Sequence, residues 1–208
     1  MAPKVSEEYK RERKKELIKA AKKVFIEKGY VHTSMQDIMD EAGVSRGAFY
    51  SYFDNIDHVF IEVLKYHDQQ DVQHIVPSDE GPIWPHLKRW IEAQQLHIEA
   101  IDQSLVHAKA EFFLSSKYVK NKNNFPYIAE RYNRTAEAIE KVLLEGVQRG
   151  EFSPKLHPSS IARYLISFIN GLMLDTFQLG HEKTKVKEQL IVFISSLENL
   201  INPAHNAK

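Results

Sequence analysis

The 208-residue chain is expected to be all-α, with about nine helices. Three observations carry that expectation. Apolar residues recur at i, i+3, i+4 and i+7 in one segment after another, the period of a helix with one buried face. Eight glycines and eight prolines fall mostly between those segments, where they end helices or open them. No stretch alternates apolar and polar residues with the period of two that a half-buried strand needs. Apolar residues make up 43% of the chain, enough for a sizeable core in one large or two modest domains.

The spacing predicts a first helix over residues 6–28, where Leu17, Ala20, Ala21, Val24 and Phe25 form a single stripe and Gly29 ends it. The same segment is basic. Its first 28 residues hold ten Lys/Arg against five Glu, a net of +5, while the whole chain is neutral with 28 charges of each sign. A basic end on an acidic remainder is the asymmetry expected where one end meets phosphate. Arg11, Arg13 and Lys14 are placed near a nucleic-acid backbone by this reading.

Thr33 to Phe53, TSMQDIMDEAGVSRGAFYSYF, reads as two short helices and a tight turn. Ser34 can cap the first, with Asp37 answering three residues on. Met35, Ile38, Met39 and Ala42 supply its apolar face, and Gly43 follows where a left-handed cap residue belongs. Ser45 can cap the second helix, whose apolar stripe is Phe49 and Phe53. Helix, glycine turn, helix is the helix-turn-helix arrangement, whose second helix enters the DNA major groove.

This segment resembles the signature of the TetR/AcrR family of bacterial transcriptional regulators. The resemblance rests on Thr33, Ser34, Ile38, Ala42, Gly43, Val44, Ser45, Gly47, Tyr50, Tyr52 and Phe53 in order. It departs at Met39, where a small Ala is usual, and at Ile56, where a Lys commonly reaches a DNA phosphate. The resemblance implies a homodimer made by the last two helices, a ligand pocket in the C-terminal body and phosphate contacts from the tyrosines. With it, residues 1–54 are expected to be the DNA-binding domain and 55–208 the ligand-binding and dimerisation domain.

A fourth helix is expected from Ile56 to about His74, linking head to body, followed by a loop at Val76–Pro82. A fifth covers Ile83 to about Ala100, and another roughly 103–115. Ser116 to Asn124 reads as a loop. Pro126 opens a long helix to Arg149 whose buried face is Ile128, Tyr132, Ala136, Ile139, Val142 and Leu143. Pro158 opens the next, ended by Gly180, and a last helix carries Val186 to Ile201. These two helices are apolar over arcs wider than one small body covers easily, so a second copy is expected to cover them. Ile161, Phe168, Gly171, Leu172, Leu190, Phe193, Ile194 and Leu197 are the candidate interface residues.

Catalysis is not expected: no glycine pattern of a nucleophile elbow surrounds any serine, and no phosphate-cradling glycine loop occurs. With no cysteine, thiolate chemistry is excluded and no disulfide can form. Ten histidines raise the question of a metal, but His107 and Glu111 at i, i+4 give two ligands where a closed site takes four. No metal or cofactor is expected. No run of about 18 apolar residues exists to span a membrane, and the charged N-terminus is not a secretory signal. A cytoplasmic protein fits all of this.

The functional expectation is a DNA-binding regulator acting as a homodimer on a pseudo-palindromic double-stranded operator, repressing until a small-molecule inducer releases it. Arg46 should read a base, with Ala48 and Ser51 near the groove floor. Tyr50, Tyr52, Thr33 and Ser34 should hold phosphates, with Ser45 and Gly47 in the same DNA-facing set. Trp90, Gln94, His97, Glu111, Phe112, Tyr127, Tyr132, Asn170 and Asp175 are the candidate ligand lining, aromatic with few charges, as an apolar inducer would want. An activator or global regulator of the same fold, or a helical ligand-binding scaffold whose helix-turn-helix merely packs, remain the alternatives.

Overall fold

The structure, a computed structural model, describes residues 6–71 and 81–204. Among the described residues are α1 (Glu7–Lys28), α2 (Met35–Ala42), α3 (Arg46–Tyr50), α4 (Ile56–Asp71), α5 (Ile83–Glu99), α6 (Val106–Leu114), α7 (Ser116–Lys120), α8 (Pro126–Gln148), α9 (Pro158–Leu179), α10 (His181–Thr184) and α11 (Val186–Ile201). Strands are absent there, and one isolated bridge joins Phe152 to Pro203.

The helix signals act as chemistry requires. Ser6 accepts the Tyr9 amide at the start of α1, Glu7 and Glu8 sit in its first turn and Lys28 in its last, so side-chain charge opposes the helix dipole at both ends. Gly29 turns the chain out of α1 at φ 75°, a conformation that costs other residues strain. Pro126 and Pro158 occupy the first turns of α8 and α9, where their missing amide is no loss.

Two expectations change. Ser116 to Asn124 is not a loop: Ser115 accepts the Tyr118 amide and starts the five-residue α7, and a 3-10 turn follows at Lys122–Asn124. The helix that closes the chain is preceded by the short α10, set off by Lys185 in the left-handed region. The expected loop at Val76–Pro82 falls mostly outside the described residues.

The chain forms two compact units. The first comprises Met1–Gln69 with Asp102–Lys122. Its core takes Leu17, Ala21, Val24 and Phe25 from α1, Ile38 and Met39 from α2, Phe49 and Phe53, then Val59, Phe60, Val63 and Leu64 of α4, and Ala108 and Phe112 of α6. Phe25, Tyr30, Phe60 and Phe112 form an aromatic cluster with centroids 4.9–5.2 Å apart for the Phe25–Phe60, Tyr30–Phe60, Tyr30–Phe112 and Phe60–Phe112 pairs. A boundary after residue 54 therefore does not coincide with an edge of this unit, because α4, α6 and α7 pack with the first three helices. The second unit, Gln70–Ile101 with Asn123–Lys208, has one apolar core drawn from α5, α8, α9 and α11, with Trp84, Trp90, Phe168, Met173 and Leu200 packed against it.

Candidate nucleic-acid interface

Two caps and one turn set α3 in place. Ser34 accepts the Asp37 amide while the Asp37 carboxylate accepts the Ser34 amide at 2.8 Å, a reciprocal capping box at the start of α2. Lys28 also pairs with Asp37 at 2.6 Å. The Lys28 ammonium first, then the Ser34 hydroxyl and amide, hold the Asp37 carboxyl down to about 2. Gly43 takes the left-handed conformation at φ 60°, and the Val44 amide returns to the Met39 carbonyl at 3.1 Å. That closed end lets Ser45 cap α3 two residues later, accepting the Ala48 amide at 3.4 Å.

α3 is anchored from below and open above. Phe49 and Phe53 are fully buried, their rings 5.1 Å apart. Ser45, Arg46, Gly47, Ala48, Tyr50 and Ser51 are all exposed, and Tyr52 is half-buried. The Arg46 guanidinium lies over the Tyr50 ring at 5.3 Å from its centroid. A Cβ at Gly47 would meet nothing within 4 Å. Ser34 is exposed beside them, though both its polar atoms serve the capping box. Thr33 is different. It is 7% exposed and its hydroxyl donates to the Gly29 carbonyl at 2.5 Å, so it shapes the turn rather than presenting a hydroxyl outward.

Lys14 is likewise turned inward. Its ammonium pairs with Glu62 of α4 at 2.5 Å and lies 5.9 Å from the Phe53 centroid. Burial alone would raise the Glu62 carboxyl, but hydrogen bonds from Lys14 and Lys65 outweigh it and hold it below its usual range. Lys14 ties α1 to α4. Arg13 and Lys15 instead pair with Glu16 and Glu12 along the exposed side of α1; such surface pairs contribute little to stability.

The candidate ligand residues are divided between the two units. Glu111 and Phe112 belong to the first unit: Glu111 accepts the Tyr30 and Val31 amides, and Phe112 is 1% exposed inside the aromatic cluster. In the second unit His97, Tyr132, Asn170 and Asp175 are exposed. Arg163 covers the Tyr132 ring at 5.6 Å. Trp90, Gln94 and Tyr127 are half-buried; Gln94 donates to the Trp90 carbonyl at 3.0 Å, and Arg134 lies over Tyr127.

The candidate interface residues are also redistributed. Ile161, Leu172, Leu190, Phe193, Ile194 and Leu197 are buried within the chain itself, and Phe168 stacks on Phe193 at 4.1 Å. Their arc is wide because α5 and α8 cover part of it. Gly171 stays outside, with open space where a Cβ would go, together with Tyr164, Ile191 and Val192 at 41%, 57% and 65% exposure. Ile191 lies in the stripe that the sequence shows and is still exposed, since period alone does not say which edge of a stripe another helix covers.

Comparison with known proteins agrees with this architecture. The family model described as bacterial regulatory proteins, tetR family, matches residues 17–63. The one described as tetracyclin repressor-like, C-terminal domain, matches residues 86–187. The chain is 26% identical over 187 residues to the uncharacterized HTH-type transcriptional regulator YfiR of Bacillus subtilis, covering 89% of this chain and 90% of that protein. It is 27% identical over 163 residues to the HTH-type transcriptional repressor KstR2 of Mycobacterium tuberculosis, 74% of this chain and 76% of that one. In three dimensions it is similar to the triclosan complex of SmeT, a repressor from Stenotrophomonas maltophilia, with a TM-score of 0.74 at 16% identity over 94% of this chain and 93% of that one. With the capped helix pair, the left-handed Gly43 turn and two matched domains that together cover well over half its length, the chain belongs to the TetR family of helix-turn-helix transcriptional regulators.

Proposed function

We propose that this chain is a repressor that binds a pseudo-palindromic operator as a homodimer and is released by a small, largely apolar molecule. One observation carries the DNA part. α3 buries Phe49 and Phe53 and leaves Arg46, Gly47, Ala48, Tyr50 and Ser51 outside together. Arg46 at the start of a reading helix is placed to donate to guanine O6 and N7, with Ala48 and Ser51 near the groove floor. Tyr50, Tyr52 and the capped start of α2 at Ser34 face the backbone. The sign of regulation is supported by the relative KstR2, whose name is that of a repressor. The functional division, DNA contact in residues 1–54 and ligand and dimer functions in 55–208, belongs to the same reading, as does a cytoplasmic location; among the described residues no helix is long and apolar enough to cross a membrane.

The apolar character of the inducer is supported by SmeT, solved with triclosan, and by the half-buried Trp90, Gln94 and Tyr127 within the matched C-terminal domain. The inducer acts only through a difference in affinity between DNA-bound and released states, with an expected coupling of about 1–3 kcal/mol. The deciding experiment is a salt-titrated binding measurement on a duplex selected by the protein from a random pool and on unselected DNA. Arg46→Ala should cost about 1–3 kcal/mol on the selected duplex and relax one position. Equal losses on both duplexes would reduce Arg46 to a phosphate contact.

A further inference from the structure

The turn between α1 and α2 is held by a side chain from far along the chain. One carboxylate oxygen of Glu111 accepts the Tyr30 amide at 2.6 Å and the Val31 amide at 3.0 Å. The other lies 3.1 Å from His107 Nε2, one helical turn earlier on α6. The seat is close: a Cβ added at Gly29 would stand 2.5 Å from the bound oxygen. Tyr30 is also gripped at its far end. Its hydroxyl donates to Asp57 of α4, and Asp57 pairs with Lys117 of α7 at 2.5 Å. Between these two grips its ring packs on Phe25, Phe60 and Phe112. Asp57 and Glu111 are 9% exposed and half-buried respectively, so both carboxylates work out of bulk water, where charge-assisted hydrogen bonds are strong.

The gripped turn leads straight into the reading apparatus. Thr33 donates back to the Gly29 carbonyl, Ser34 caps α2, and α2 leads through Gly43 to α3. The Tyr30 and Val31 amides lie past the end of α1, outside its hydrogen-bond ladder, and every such backbone donor needs an acceptor from a side chain or water. A carboxylate that accepts both fixes the direction in which the chain leaves α1, and hence where α2 and α3 lie on α1.

We infer that Glu111 is a positioning residue for operator recognition: from α6 it fixes the α1–α2 turn through the Tyr30 and Val31 amides, and so orients the helices that meet DNA. The inference rests on the proposed DNA-binding function. Glu111 itself touches no DNA in it, so its loss should reduce recognition of a particular site without removing a phosphate contact.

The test uses the full chain and a duplex selected by the wild-type protein from a random-sequence pool, with unselected DNA as the second probe. Glu111→Ala should lower affinity for the selected duplex at least tenfold. Affinity for unselected DNA and the salt slope should stay within twofold of wild type, because the phosphate contacts remain. A folding defect would lower both affinities by one factor, so the ratio of the two is the readout. Glu111→Gln keeps an acceptor oxygen at the same reach and should recover most of the ratio. Glu111→Asp keeps the charge but withdraws it by one carbon, and should not. If Glu111→Ala unfolds, the comparison of Gln with Asp decides. A selected-to-unselected ratio equal to wild type in Glu111→Ala, or in Glu111→Asp should the alanine variant unfold, overturns the inference. A wild-type protein that selects no sequence overturns the DNA-binding function itself, and the inference with it.

Discussion

Gly47 stands in the first turn of α3, where neither positive φ nor any neighbour calls for a glycine. Within a helix Ala is better by about 1 kcal/mol. Gly47→Ala should therefore raise the melting temperature by a few degrees, at about 2–4 °C per kcal/mol for a chain of this size, while weakening operator binding if DNA comes as close as proposed. Thermal melts and affinities on one preparation check both halves; unchanged affinity would mean that DNA stays clear of this position. Asp37 gives a prediction in pH. Its carboxyl is held down to about 2 when folded, against about 3.9 in an unfolded chain. The capped form therefore contributes stability above the unfolded value and loses it as pH falls from about 4 towards 2. Asp37→Asn should be less stable than the parent at neutral pH, since the reciprocal cap and the Lys28 pair are weakened, and urea midpoints should converge near pH 2. At this scale the caps at Ser34 and Ser45 and the turn at Gly43 were legible, because each depends on neighbours within four residues. Thr33 was not: its hydroxyl was expected at a phosphate and is spent on the Gly29 carbonyl, a bond four residues back that forms only because Gly29 takes a positive φ, outside any regular period or cap pattern.

Among the elements, α8 shows how a close approach is set. Gly146 is buried, and a Cβ there would run into the Phe152 ring. Phe152 is held in place from the other side, where it bridges to Pro203 after α11, and its amide donates to the Gly146 carbonyl at 3.1 Å. Gly146→Ala should cost about 1–3 kcal/mol by overpacking, despite the better helix propensity of alanine. Gly146→Ala with Phe152→Leu should recover part of that loss, a coupling that a double-mutant cycle in urea measures. Most elements were legible from period and punctuation: α1, α5, α8, α9 and α11 lie where their stripes and their glycines and prolines put them. α7 and α10 were missed, being four or five residues long, too short to show a period. The first two turns of α8 were misjudged as core, since Tyr132 is 37% exposed; an amphipathic stripe continues past the point where a neighbour stops covering it.

The whole molecule is proposed to work in pairs, and the outer surface of the second unit says where to test it. Ile191 and Val192 are exposed apolar residues on α11, outside the core. Ile191→Glu with Val192→Glu should leave the monomer folded, with a melting temperature close to the parent. It should convert a dimer to a monomer in light scattering and abolish binding to a two-half-site duplex. Leu197→Asp, by contrast, charges a fully buried position and should unfold the second unit, since an unpaired buried charge costs several kcal/mol. A double glutamate variant that remains dimeric would move the interface elsewhere. Half-sites in the operator should be about one helical turn apart, as two-fold symmetry requires.

The amino-acid order by itself determined the all-α class, the helix-turn-helix, its caps and turn, and the family, because these depend on interactions over a few residues and on period. It also singled out the stretch Ser45–Tyr52 around α3 as the face proposed to meet DNA. Only the tertiary structure decided which apolar positions are already covered and which polar groups are already spent. Phe193 and Leu197 face inward while Ile191 and Val192 face out, though all four share one helix. Glu111, a ligand candidate from composition, lies 80 residues from the Val31 amide it accepts. Helical period states that a face is buried, but not what buries it; the partner of a stripe or of a carboxylate is a matter of distance in space, which sequence separation does not carry.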